Sequence, residues 1–192
     1  MTKNFAEQNF EALLNTYNVY FLEEIERRGW TYLLYAQEHS FYSENLVRDF
    51  YDGILDYDIG NGQIRVTMDG KVQMVDLRTI SEIVGIPVKH GPNPHLQIIE
   101  YSSSMGPACR IPNDAGIMAS TCYRNIIVVG RWVCTNITGT SKTSALYAPT
   151  LACIYALMTK NDDYCVVHQL FETICVTPRP AGYGRRYRYI HT

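Results

Sequence analysis

The chain has 192 residues, of which 46% are hydrophobic, 12% aromatic and 19% charged. That composition excludes a wholly disordered chain, a collagen-like repeat and a disulfide-dense miniprotein. The net charge of -2 excludes a globally basic nucleic-acid binder, yet it hides an asymmetry: residues 1–100 carry 15 acids against 8 bases, and residues 101–192 carry 4 against 9.

At this length one real core is expected, so the reading is a single helical domain over 1–178 followed by a tail at 179–192. Met1-Thr2-Lys3-Asn4-Phe5 leads into a charged amphipathic stretch and not into the basic end and apolar run of a signal peptide. No window reaches 18 uninterrupted apolar residues, so no membrane span is expected and the protein is placed inside the cell, in cytoplasm or nucleus.

From Asn4 to Arg28 apolar residues recur at helical intervals (Phe10, Leu14, Tyr17, Phe21, Ile25), giving one long helix or two short ones, with Gly29 as terminator. Trp30 to Tyr35 is ambiguous between strand and helix. Ser43 is the expected N-cap of a second helix whose Leu46, Val47, Phe50, Tyr51, Ile54 and Leu55 form a stripe assigned to the core. Asp52, Asp56 and Asp58 then read as a solvated helix end. Ile64 to Met68 and Val72 to Val75 alternate with period two around Asp69-Gly70, the signature of a β-hairpin. Asp76 is placed to cap a short helix carrying Leu77, Ile80, Ile83 and Val84, stopped by Gly85 and Pro87. Residues 88–114 are rich in Pro, Gly and Ser and read as a long connection.

Beyond it, Ala115 to Thr135 is expected to be helical and Thr135 to Ser144 a loop. Ala145 to Lys160 is apolar almost all round, a buried helix in which Pro149 is tolerated only in the first turn. Asn161-Asp162-Asp163 is expected to cap a last helix with Val166, Val167, Leu170, Phe171 and Ile174 facing inward. The fold class is therefore mainly α within α+β: a compact helical domain with one small hairpin and a disordered C-terminal tail.

Chemistry is sparse. There is no G-x-S-x-G, H-E-x-x-H, G-x-x-x-x-G-K-[ST] or G-x-G-x-x-G, and Gly60-Asn61-Gly62 is read as a turn. Thr138 to Ser144 resembles a phosphate loop superficially but lacks the second glycine and a preceding apolar strand, so it is assigned to helix capping. Cys109, Cys122, Cys134, Cys153, Cys165 and Cys175 contain no C-x-x-C pair and read as reduced, structural thiols, not zinc ligands. His90 and His95 flank a loop without a third ligand. Cys165 and His168, three apart, are the weakest candidate, for an uncatalogued Cys/His hydrolase. No catalytic residue, metal or cofactor is assigned.

The tail is different. Arg179, Tyr183, Arg185, Arg186, Tyr187, Arg188 and Tyr189 combine phosphate-binding cations with stacking rings, a pairing suited to single-stranded nucleic acid. The body from Met1 to Val176, with 19 acids against 13 bases, should repel phosphate.

The order of several short motifs resembles a known family. Arg28-Gly29-Trp30, Leu46-Val47-Arg48-Asp49-Phe50-Tyr51, Val66 with Gly70-Lys71-Val72, Ile80 with Ile83-Val84-Gly85-Ile86-Pro87, Trp132-Val133-Cys134 with Thr140-Ser141, and Leu151 to Leu157 are similar to the plant transposon protein domain of gypsy-type, Athila-like retrotransposon reading frames. The spacing of hairpin, short helix and Gly-Ile-Pro stop also resembles, more distantly, the plant mobile domain. The chain has no zinc knuckle, no protease-like Asp-Thr-Gly or Asp-Ser-Gly triplet and no polymerase segment. The resemblance carries no established activity, cofactor or catalytic residue; together with the absence of catalytic motifs it leads to a non-enzymatic retroelement-derived interaction domain, gag-like or accessory, whose helical body binds a protein partner or itself and whose tail touches nucleic acid. The alternative is a host-coopted regulatory domain that reads DNA or RNA with the hairpin and the Leu77 to Val84 helix.

Overall fold

The computed structural model describes residues 19–35, 43–89, 116–140 and 144–176. Within them lie seven α-helices, a three-stranded antiparallel sheet and a two-residue strand pair, a mainly helical α+β fold. The expected helix before Val19, His90, His95, Cys109 and the whole Arg/Tyr tail lie outside the described residues.

Helix α1 (Val19–Arg27) buries Phe21, Leu22 and Ile25 and packs against the apolar helix described below as α6. It ends as its sequence predicts. Gly29 takes a left-handed φ of 71°, its N–H reaches Glu26 O at 2.9 Å, and the Trp30 N–H reaches Ile25 O at 2.9 Å. That paired closure satisfies the last carbonyls and turns the chain so that Trp30 enters the core. The ambiguous aromatic run is helix α2 (Thr31–Tyr35), with Leu33 buried.

Ser43 caps helix α3 (Glu44–Gly53), its Oγ accepting the Leu46 N–H. The helix stops earlier than its apolar pattern suggests, because strand β1 (Ile54–Asp58) begins immediately after Gly53. A side chain at Gly53 would run into the Thr67 carbonyl oxygen, so glycine lets the helix end press directly on the sheet. The core assignment of the stripe is corrected accordingly. Tyr51 and Ile54 are buried, but Leu46 is 58% and Leu55 51% exposed. The two sit outside the helix–sheet contact.

Strand β1 pairs with β2 (Gln63–Met68), which pairs with β3 (Lys71–Asp76), all antiparallel, in the order β1-β2-β3. The hairpin is borne out in register, with Met68 opposite Lys71 and Ile64 opposite Val75. Asp69 (φ 51°) and Gly70 (φ 72°) are both left-handed, the type I′ geometry that matches strand twist. What the sequence reading lacked was the third strand. Asp56 and Asp58 lie on β1 and not at a helix end, since the pairing of β1 is interrupted by a bulge between Ile54 and Asp56 and its one-sided burial hides the alternation.

Asp76 caps helix α4 (Leu77–Val84) through a reciprocal box with Thr79, and Gly85 (φ 67°) closes it. Past the undescribed 90–115, β4 (Ile117–Met118) pairs with β5 (Ala145–Leu146). A 3-10 turn (Ala119–Thr121) precedes helix α5 (Arg124–Asn136), so the helix expected from Ala115 starts at Arg124. Likewise α6 (Ala148–Thr159) starts three residues later than expected, which puts Pro149 in its first turn as required. Helix α7 (Val166–Val176) runs against α4. It is not capped by Asn161 to Asp163: Asn161 Oδ1 accepts the Asp163 N–H in a local turn well before the helix begins. Trp132, Ile126, Leu151, Ile154, Val167, Leu170 and Phe171 form the centre of one contiguous core shared with α1, α4 and the inner face of the sheet.

Candidate functional site

Two polar constellations stand out, one inside the molecule and one on its surface. The inner one grows from helix spacing. Glu24 on α1 lies one turn before Arg27 and Arg28, and all three side chains converge where α1 meets the α6–α7 connection. Arg27 donates from Nε to Glu24 Oε2 at 2.8 Å and from Nη2 to Asp162 Oδ1 at 2.6 Å. Arg28 donates from Nε to Glu24 Oε1 at 2.7 Å and from Nη2 to the carbonyls of Ala156 and Asn161, both at 2.9 Å. Its guanidinium also lies 5.1 Å from the centre of the Trp30 ring, a cation–π contact. The side chains of Glu24 and Arg28 are each 2% exposed. Lys89 closes the cluster from outside by donating to the Asp162 carbonyl.

The hydrogen bond from Arg27, above all, holds the Glu24 carboxyl below its ordinary range, against the opposing effect of burial. Arg27 does the same to Asp162. A carboxylate so firmly ionised and so fully paired is a poor proton carrier at neutral pH. The cluster is a brace that ties α1 to the last two helices.

The outer constellation covers the solvent side of the sheet. Alternation sends Ile64 and Val66 inward and leaves Gln63 and Arg65 outside, while β3 is exposed from Lys71 to Met74. Asp56, Arg65 and Met74 are cross-strand neighbours in one row, with Arg65 Nε donating to Asp56 Oδ1 at 3.1 Å. Beside them Asp58 accepts from Asn61 N at 3.0 Å and Asn61 Nδ2 at 2.7 Å, bonds that lower its pKa. Asp56, Tyr57, Asp58, Gln63, Arg65 and Met74 line a shallow depression of about 300 Å³. Around it Leu55, Val72 and Met74 stand exposed, Val72 by 62% and Met74 by 52%. Such a surface offers apolar contact and hydrogen bonds to a macromolecule and no enclosed pocket for chemistry.

The residues singled out in the sequence fare unevenly. Cys165 is buried just before α7, where its Sγ accepts the Lys89 N–H at 3.4 Å; His168 lies half-buried one turn on. The described cysteines, Cys122, Cys134, Cys153, Cys165 and Cys175, are free thiols, and burial pushes Cys153 up to about 12. In the supposed phosphate loop, residues 141–143 lie outside the described set, and the Thr138 hydroxyl is 3.2 Å from the Thr150 hydroxyl. On α4, Arg78 pairs with Glu82 at 2.9 Å, which takes up the one base of that helix. Among the described residues, no three of His, Cys, Asp and Glu gather as a metal site would need, and no helix is long and apolar enough to cross a membrane.

Sequence reasoning missed the brace, although the Glu24–Arg28 spacing of four is a known pairing distance. It also missed the exposed sheet face. Compared with known proteins, the chain matches no family model, no curated protein and no solved structure.

Proposed function

We propose that this chain is a non-enzymatic interaction domain of retroelement origin, gag-like or accessory, which works inside the cell by binding protein through the outer face of its sheet. The observation that carries the reading is the exposed apolar set Leu55, Val72 and Met74 around the Asp56–Arg65 pair. Two exposed branched or thioether side chains on one edge strand are costly to leave in water and are well suited to cover by a partner. The resemblance to retrotransposon reading frames supports the origin, and the Arg/Tyr composition of residues 179–192 supports a second, weak contact to single-stranded nucleic acid.

A photo-crosslinking residue placed at Met74 in the full chain, expressed in cells, tests the protein-binding reading. It should yield protein adducts well above those from the same residue at Arg131, an exposed position on α5. Equal yields from the two positions overturn it. For the tail, deleting residues 179–192 should abolish low-salt binding to single-stranded oligonucleotides; four arginines imply a salt slope of roughly -3. Undiminished binding by the truncated chain would place the contact elsewhere.

A further inference from the structure

The sheet has two edges, and they are guarded very differently. Strand β1 is short, carries Asp56 and Asp58, and is broken by the bulge between Ile54 and Asp56. These are the devices that keep an edge from pairing with another chain. Strand β3 has none of them in its centre. Its pairing with β2 runs without a shift over all six residues, and Val72-Gln73-Met74-Val75 contains no charge and no proline. Its first four residues are exposed.

Backbone geometry says which groups are free. In a hairpin closed by a two-residue turn, the flanking pair Met68 and Lys71 exchanges hydrogen bonds, and bonded pairs then alternate along the ladder. Lys71, Gln73 and Val75 therefore address β2. The N–H and C=O groups of Val72 and Met74 point away from β2, at the open edge.

We infer that β3 pairs antiparallel with β3 of a second copy of this chain, about a two-fold axis at Gln73, joining two three-stranded sheets into one of six strands. This rests on the protein-binding reading above, names a second copy as the partner, and places the contact at the β3 edge that borders the outer face. The register is self-complementary: Val72 faces Met74 of the other copy and Met74 faces its Val72, so the outward backbone groups bond and four exposed apolar side chains meet on one face. Charge agrees with an antiparallel arrangement. Each β3 runs from Lys71 at the turn to Asp76 at the start of α4, so reversal brings Lys71 of each copy toward Asp76 of the other. An in-register parallel arrangement of β3 with β3 aligns like charges instead.

The test uses the full chain and four proteins: wild type, Met74→Lys, Gln73→Cys and Val72→Cys. Sedimentation equilibrium should give wild type a mass of twice 22.0 kDa at high concentration. In dilute, monomeric solution Met74→Lys should keep the wild-type circular dichroism and melting curve, but it should weaken association at least about tenfold, because two like charges then stand across the axis in place of the apolar contact. At the axis the two Gln73 residues form a non-hydrogen-bonded pair with Cα atoms about 4.5 Å apart, within disulfide range. Gln73→Cys should therefore oxidise to a covalent dimer above the wild-type background, and Val72→Cys, displaced from its own copy, should not.

A monomer at every concentration overturns the self-pairing. So does a dimer that Met74→Lys leaves intact and Gln73→Cys fails to trap. In either case the photo-crosslink at Met74 decides the broader reading separately: adducts to a different protein would preserve protein binding while refuting self-recognition, and the absence of adducts would remove both.

Discussion

Replacing Glu24 by Gln keeps the size of the side chain and removes the charge at the centre of the brace. In the native chain this carboxylate receives three charged donors, Arg27 Nε at 2.8 Å, Arg27 Nη2 at 2.6 Å and Arg28 Nε at 2.7 Å. The amide can accept part of that set, but its NH2 group then opposes a guanidinium donor, and buried Arg28 keeps as counter-ion only the exposed Asp162, 4.0 Å away. Removing one partner of a buried pair costs about 3–5 kcal/mol. The Arg27 side is exposed and screened, which favours the lower end, about 3 kcal/mol. For a chain of this size that is a fall in melting temperature of about 6–12 °C. Chemical denaturation of both proteins measures it, and Arg28→Met combined with Glu24→Gln should cost less than the two single changes added together. The effect also has a pH signature. Because the folded-state pKa of Glu24 is depressed below its ordinary 4.5, its stabilisation is complete above that value and lost as pH falls through the folded pKa, so wild type should lose its advantage over Glu24→Gln only in acid. A loss below about 1 kcal/mol at pH 7, outside the expected range for a buried pair, would refute the brace.

Asp162→Asn, on the exposed rim of the same cluster, should barely move the melting midpoint; a shift as large as that of Glu24→Gln would relocate the anchor. Asp76→Ala removes the side chain that caps α4 and should cost about 1 kcal/mol in urea denaturation. Gly53→Ala forces the end of α3 off the Thr67 carbonyl and should cost about 1–3 kcal/mol, whereas an unchanged midpoint would mean that the helix and sheet are not in contact there. Among the described cysteines, alkylation of the folded chain at pH 8 followed by peptide mapping should label half-buried Cys122 before Cys153 and Cys175, whose thiols burial pushes up to about 12 and about 11.

The parts of the fold that were legible in the sequence are those encoded by a few neighbouring residues. Ser43, Asp76, Gly85 and Asp69-Gly70 act through local backbone geometry, and each does in the structure what its chemistry predicts. The Leu46 to Leu55 stripe misled because helical spacing records which residues could share a face, not where the helix stops. Here the stop depends on Gly53 meeting a strand 14 residues further on, a tertiary fact. Strand β1 was hidden for a related reason: it buries only Ile54, so its acids read as a polar helix end. Asp162 precedes an apolar helix and so reads as part of a cap, but its partner, Arg27, is 135 residues away. The exposed sheet face followed from the hairpin in principle, since alternation must send Val72 and Met74 to one side; nothing in the sequence showed that no described element covers that side.

The central claim, that the exposed face and edge of β3 are where this chain meets protein, is tested most directly by amide hydrogen exchange resolved at single residues. The N–H groups of Gln73 and Val75 are bonded to β2 and should exchange slowly at any dilution. Those of Val72 and Met74 should exchange fast in dilute protein and become protected as concentration rises. Protection that stays the same at Val72 and Met74 across the whole concentration range, with no partner able to change it, would contradict the account.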